Sequence, residues 1–214
     1  MRSSKNLKKL KIVNRNWTWV YNPFIKIAGW KAFGIGIVIL CLATVIGYFG
    51  NTVFYGISVK SVLSLSWCKA FSLQAMGLTV TVLVMWIIAL LSAKHVRFQD
   101  ILGTVTLAKY PLVLMAIMFL AFSNWLNELS KMLLTSTNTQ EIMEFFSQLT
   151  ILDYVLFMVF IILTIFFLVW TIALLFNAFR VSTNLKGGKC TMLFIVSLLV
   201  SEIIIGILVS MCYK

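Results

Sequence analysis

The feature that most constrains this chain is a set of long stretches without an ionisable side chain. No Asp, Glu, Lys, Arg or His occurs from Ala32 to Val59, Ala70 to Ala93, Tyr110 to Asn127 or Tyr154 to Phe179; a fifth stretch, Cys190 to Tyr213, is interrupted only by Glu202. Each is long enough to cross a hydrocarbon core of about 30 Å, which takes roughly 17 to 25 helical residues. Runs such as "VLFMVFIILTIFFLVW" lack the in/out alternation of a barrel strand, and a bare backbone in lipid leaves only helices or closed barrels. The expectation is an all-α membrane protein, a five-transmembrane-helix bundle. Composition agrees: 61% of residues are hydrophobic and 11% charged, where soluble domains carry about a quarter charged. The first run is far longer than the roughly 7 to 15 apolar residues of a secretory signal and no A-x-A cleavage pattern follows it, so it is read as a span. The division expected is a basic arm over 1–31 and a single five-span domain over 32–213.

Orientation follows from the basic residues. Arg2, Lys5, Lys8, Lys9, Lys11, Arg15, Lys26 and Lys31 precede span 1, Lys94 and Arg97 lie between spans 2 and 3, and Arg180, Lys186 and Lys189 between spans 4 and 5. The other side has Lys60, Lys69, Lys131 and Lys214, together with Glu128, Glu141, Glu144 and Asp153. The positive-inside rule therefore predicts a cytoplasmic N-terminus and an external C-terminus. The net charge of +12 is then explained by anionic headgroups at the cytoplasmic membrane edge, at about 1 kcal/mol per basic residue, and nucleic acid is not expected as a partner.

In the arm, Leu10, Val13, Trp17, Val20, Phe24 and Ile27 recur at helical steps, while Lys8, Lys9, Lys11 and Arg15 fall mostly elsewhere. Such a segment lies in the interface, with Trp17, Trp19, Tyr21 and Trp30 at headgroup depth and Pro23 separating the arm from span 1. It serves either as a membrane anchor or as a docking site for a partner. Between spans 3 and 4, Asn138 with Glu141, followed by Ile142, Phe145, Phe146 and Leu149, predicts a short helix on the outer surface.

No catalytic, cofactor-binding or metal site is predicted. Cys41, Cys68, Cys190 and Cys212 form no C-x-x-C, His95 stands alone, and neither a Walker A loop nor an H-E-x-x-H or G-x-S-x-G motif occurs. "KGGK" at 186–189 is read as a turn between helices.

The acid in span 5 demands a partner. Twelve residues beyond Cys190, Glu202 is about 18 Å deep, near the midplane, where a charged side chain costs at least about 2.5 to 3.5 kcal/mol. Thr44, Thr79, Thr81 and Thr164 reach a similar depth in three other spans, so a polar layer of Glu202 with these threonines is expected, the acid neutral and hydrogen-bonded. A proton or cation relay and a contact with a partner's helix are the other readings. Lys109, early in span 3 and only about 6 Å deep from the cytoplasmic edge, is expected to snorkel to the headgroups. Ala32 with Gly36, Ala43 with Gly47, Ala89 with Ala93 and Gly206 with Ser210 are spaced for close helix packing, Gly206 one turn beyond Glu202.

The ordering resembles the Yip family, five-span membrane proteins named for interaction with Ypt/Rab GTPases, and in particular its short bacterial members. The residues that carry the likeness are "NPFIKIAGWKAFGIG" at 22–36, "RFQDILGTVTLAKYP" at 97–111 and "NAFRVSTNLKGGKC" at 177–190. The Asp-Leu-x-Gly-Pro element of eukaryotic members is reduced here to the proline of "VYNPF", so Rab binding is not implied. What the resemblance implies is a non-enzymatic scaffold or accessory subunit in a bacterial inner membrane, for a membrane-protein partner such as an exporter complex, or as a homo-oligomer. A small transporter or channel, with Glu202 in its pathway, is the alternative.

Overall fold

The computed structural model describes residues 22–61, 66–92, 96–128, 147 and 150–212. It contains five helices long and apolar enough to cross a membrane. Helix α1 is Gly29–Phe49 and α2 is Trp67–Ser92. The third span, Phe98–Ala121, is built from two halves, α3 (Phe98–Ala108) and α4 (Pro111–Ala121). Helices α5 (Ile151–Thr183) and α6 (Gly187–Cys212) complete the set. The chain is therefore a multi-pass helical membrane protein.

Local chemistry accounts for the ends. A 3-10 turn over Pro23–Ile25 precedes α1, followed by Ala28 in an extended conformation. Thr150 and Asp153 form a reciprocal capping box at the start of α5: Thr150 N–H donates to Asp153 Oδ2 at 2.9 Å, and the Asp153 amide donates back to Thr150 Oγ1. Asn184, left-handed with φ 53°, ends the helix. The third span breaks where Pro111 lacks an N–H and its ring would meet the carbonyl four residues back. Three-residue bonds carry the backbone through the break, from Tyr110 N–H to Leu107 O (3.1 Å) and from Leu112 N–H to Lys109 O (3.0 Å).

Helix α1 packs chiefly on α3 and α4, and α5 covers the far side of the same pair; α2 packs chiefly on α6. Small residues permit the first contact, as expected. Ala32 and Gly36 are buried, and a methyl group on Gly36 would lie 2.8 Å from Leu107 N. Ala43 and Gly47 are buried as well. Gly206 and Ser210 depart from the expectation: both are exposed, and nothing lies within 4 Å of where a Gly206 side chain would begin.

The largest departure from the hydropathy reading is in the first apolar run. Its helix stops at Phe49 and the run continues as a two-stranded antiparallel hairpin, β1 (Thr52–Tyr55) and β2 (Ser58–Ser61). Thr52 pairs with Ser61 and Tyr55 with Ser58, leaving Gly56 and Ile57 as the turn. Gly56 has φ 64°, which suits the first position of a two-residue hairpin turn. Two smaller corrections concern boundaries: α1 begins at Gly29, just inside the expected arm, and the glycines of "KGGK" open α6 instead of forming a turn. The basic arm, including Lys8, Lys9, Lys11, Arg15, Trp17 and Trp19, lies outside the described residues, as does the predicted outer-loop helix apart from Ser147.

Candidate functional site

A strand pair inside a helical bundle raises an accounting problem, because backbone groups at membrane depth have no water to bond to and are tolerated only where protein surrounds them. Strand β1 meets that condition: Thr52, Val53 and Phe54 are buried, whereas Ser58 and Lys60 of β2 are exposed. Gly47 of α1 faces the hairpin, where a methyl group would lie 2.9 Å from Thr52 O. Gly77 of α2 lies directly against Tyr55 and Gly56, so any side chain there would strike the turn backbone. Phe54 meets Phe119 of α4 edge-on at 6.5 Å, and Phe119 meets Phe160 of α5 at 5.0 Å, so one aromatic chain ties the hairpin to the two helices on that side. Tyr48 stacks on Trp67 with ring centroids 3.7 Å apart, closing the end where α1 finishes and α2 begins.

The depth of the turn can be read from its neighbours. Gly77 is ten residues into α2 and Glu202 ten residues before the end of α6, each about 15 Å along its helix. The tip of the hairpin thus lies near the middle of the bundle.

That position explains the acid in span 5. Ile57 sits in the turn, and its N–H has no place in the strand ladder. It donates to Glu202 Oε1 at 2.8 Å, while the Ser58 hydroxyl donates to Glu202 Oε2 at 2.9 Å. Glu202 Oε1 also lies against Gly56, where a side chain would collide with it. One carboxylate therefore satisfies a turn amide and a hydroxyl at a depth where water is scarce. Charge-assisted bonds of this kind are about twice as strong as neutral ones.

The expected polar layer does not form. Thr44 donates to Leu40 O, Thr79 to Ala75 O, Thr81 to Gly77 O and Thr164 to Phe160 O, each four residues back on its own helix. A threonine in a helix can always reach that carbonyl, so equal depth does not make it a partner for another span.

Lys109 corrects the sequence reading more sharply. Because α3 begins at Phe98, Lys109 is eleven residues into the third span, about 16 Å deep. It does not snorkel. It is 0% exposed, sits at the break between α3 and α4, and its Nζ has no hydrogen-bond partner among the described residues. The centre of the bundle thus holds a carboxyl group bonded to the hairpin and a lysine whose Nζ is bonded to nothing described.

A cavity of about 370 Å³ lies between α1 and α2, lined almost entirely by apolar side chains. Among the described residues no group of His, Cys, Asp and Glu is arranged to hold a metal ion.

Fold and site together define a class: a five-span helical membrane protein whose bundle encloses a β-hairpin latched by an intramembrane carboxylate. Compared with family models, curated proteins and solved structures, the chain matches none.

Proposed function

We propose that this chain is a non-enzymatic scaffold or accessory subunit for a membrane-protein partner, such as an exporter complex, in a bacterial inner membrane. The observation that carries the reading is the commitment of Glu202. Its two oxygens hold Ile57 and Ser58, so the acid fastens α6 to the hairpin, and the threonines that would continue a polar pathway are turned back on their own helices. The resemblance to the short bacterial Yip type, resting on the residues at 22–36, 97–111 and 177–190, supports the same reading. The test is purification of the tagged full chain from mild detergent beside its reconstitution alone in liposomes. A partner retained at fixed stoichiometry, and lost when residues 2–15 are deleted without loss of membrane insertion, is the expected result. Ion or solute flux through the protein alone would overturn it.

A second reading, a small transporter or channel, is favoured by one observation, the buried unbonded ammonium of Lys109 at a broken span. Half-helix ends at mid-membrane are where transporters place charged cargo.

For orientation, the Lys and Arg bias supports a cytoplasmic N-terminus and an external C-terminus. A reporter fused after Lys214 is expected to read external and one inserted at position 95 cytoplasmic; the opposite reading at either place would refute this topology.

A further inference from the structure

Strand β2 presents an open edge. Strand β1 packs against α1, α2 and α4, whereas β2 has β1 as its only substantial neighbour among the described elements, apart from the bond of its first residue to Glu202. In an antiparallel pair, opposed residues alternate between exchanging both hydrogen bonds and exchanging none. Tyr55 and Ser58 close the two-residue turn and exchange theirs, and Val53 does the same with Lys60. Val59, opposite Phe54, therefore points its N–H and C=O away from β1. Neither group is hydrogen-bonded among the described residues.

Position makes that edge costly. Val59 is two residues beyond Ile57 at the tip, about 7 Å along the strand, and the tip lies near the middle of the bundle. The edge is thus still within a hydrocarbon half-thickness of about 15 Å, where an unpaired strand edge is not tolerated against lipid. Its flanking side chains suit hydrocarbon no better, since Ser58 and Lys60 share one face of β2 and both are exposed. What satisfies a bare N–H and C=O side by side is the backbone of another strand.

The residues of β2, Ser-Val-Lys-Ser, fit a second copy of themselves. Antiparallel pairing about Val59 lets the two valines exchange both bonds and sets Ser58 of each copy opposite Lys60 of the other, so the lysines do not face one another. Directly opposed side chains have Cβ atoms about 4.5–5.5 Å apart. Ser58 is bonded to Glu202 Oε2 at 2.9 Å, so Lys60 of one copy comes within reach of the Glu202 carboxyl of the other. Within its own chain Lys60 has no ion pair among the described residues. Gly206, one turn beyond Glu202, has nothing within 4 Å of where a side chain would begin, which leaves room for the incoming strand.

We propose that this chain forms a two-fold dimer in which the β2 strands of two copies pair antiparallel about Val59 into one four-stranded sheet, with Lys60 of each copy beside Glu202 of the other. A self-complementary contact of this kind closes after two subunits. It is independent of the scaffold reading, because dimerisation is measured on the purified chain with no partner present.

The experiment reconstitutes the full chain, its four cysteines replaced by alanine, at low density in phosphatidylcholine vesicles under oxidising conditions. Residues opposed in a bonded antiparallel pair have Cα atoms about 5.5 Å apart, within the range a disulfide spans. Val59→Cys is therefore expected to give a covalent dimer, whereas Leu114→Cys, exposed on α4, should stay monomeric. Adding Lys60→Glu, which sets two acids together at both ends of the contact, should lower the yield roughly tenfold, and adding Lys60→Arg should not. In the parent sequence, Val59→Pro removes an N–H that β1 does not use, and proline is accepted at a strand edge. Light scattering in mild detergent should find that variant monomeric, with the parent's helix content, and the parent dimeric. Val59→Cys that links no better than Leu114→Cys, a yield indifferent to Lys60→Glu, or a Val59→Pro variant that remains dimeric would overturn the proposal.

Discussion

Replacing Glu202 with leucine is expected to destabilise the protein by about 3 kcal/mol. Two losses combine. The Ile57 N–H and the Ser58 hydroxyl lose their acceptor. A buried donor stripped of its acceptor costs about 1–3 kcal/mol. The total stays in the lower part of the combined range because Ser58 can turn to another acceptor, as exposed hydroxyls do. Glu202→Gln separates the terms. Its amide oxygen can still accept from Ile57, and its NH₂ can donate to the Ser58 oxygen, so the hairpin keeps its bonds and only the charge is lost; about half the destabilisation is expected. Unfolding in mixed detergent micelles reads both values. A Leu variant as stable as the parent would mean that the hairpin is held by its aromatic and glycine contacts alone.

The second large effect belongs to Lys109. Alone, Lys109→Met is expected to stabilise the protein by about 1–2 kcal/mol, because it removes a fully buried amine without a hydrogen-bond partner among the described residues from a dry interior. In the Glu202→Leu background the same change should be more favourable still. The two substitutions together are thus expected to cost less than their sum by about 1 kcal/mol. Additivity within a few tenths of a kcal/mol would show that the two charges do not influence each other. If Lys109→Met were neutral in folding yet abolished flux in liposomes, the ammonium would belong to a transport pathway and the second functional reading would prevail.

What the sequence disclosed and what it hid divide along one physical line. Charge-free length is enough to find spans, because lipid punishes every unpaired charge in the same way whatever the neighbouring helices do. All five were legible, together with the close packing at Ala32 and Gly36. Direction and phase were not. The run from Ala32 to Val59 reads as one apolar block, since hydropathy does not distinguish the end of a helix from a strand buried on both sides. The signals that separate them are local: Gly50 and Asn51 as breakers, then the β-branched and aromatic "TVFY", then Gly56 as a turn residue. The span holding Lys109 was entered late for the opposite reason. A window that excludes charge starts at Tyr110, whereas the helix starts at Phe98 and carries Asp100 and Lys109 within it. That shift of about one leaflet turned a mid-membrane cation into an edge residue.

The site was half legible. An acid in the middle of span 5 announces a partner, and depth counting placed it correctly near the middle of the bundle. Depth named Thr44, Thr79, Thr81 and Thr164 as that partner and missed Ile57, because a backbone amide leaves no mark in a sequence. Gly77 is the residue that could have pointed there. A glycine in the middle of a span, ten residues from the helix start, is a place where another backbone comes close, and here that backbone is the turn at Tyr55 and Gly56.

The central claim is that Glu202 holds the hairpin turn inside the bundle, and amide hydrogen exchange across residues 52–61 tests it most directly. In the parent protein the hairpin amides, Ile57 included, are expected to exchange as slowly as those of α2 beside them. In Glu202→Leu they should exchange at least about tenfold faster, the equivalent of losing about 1.4 kcal/mol of local protection, while the amides of α5 keep their rates. Hairpin amides that exchange quickly in the parent, or at the same rate in both proteins, would contradict the latch.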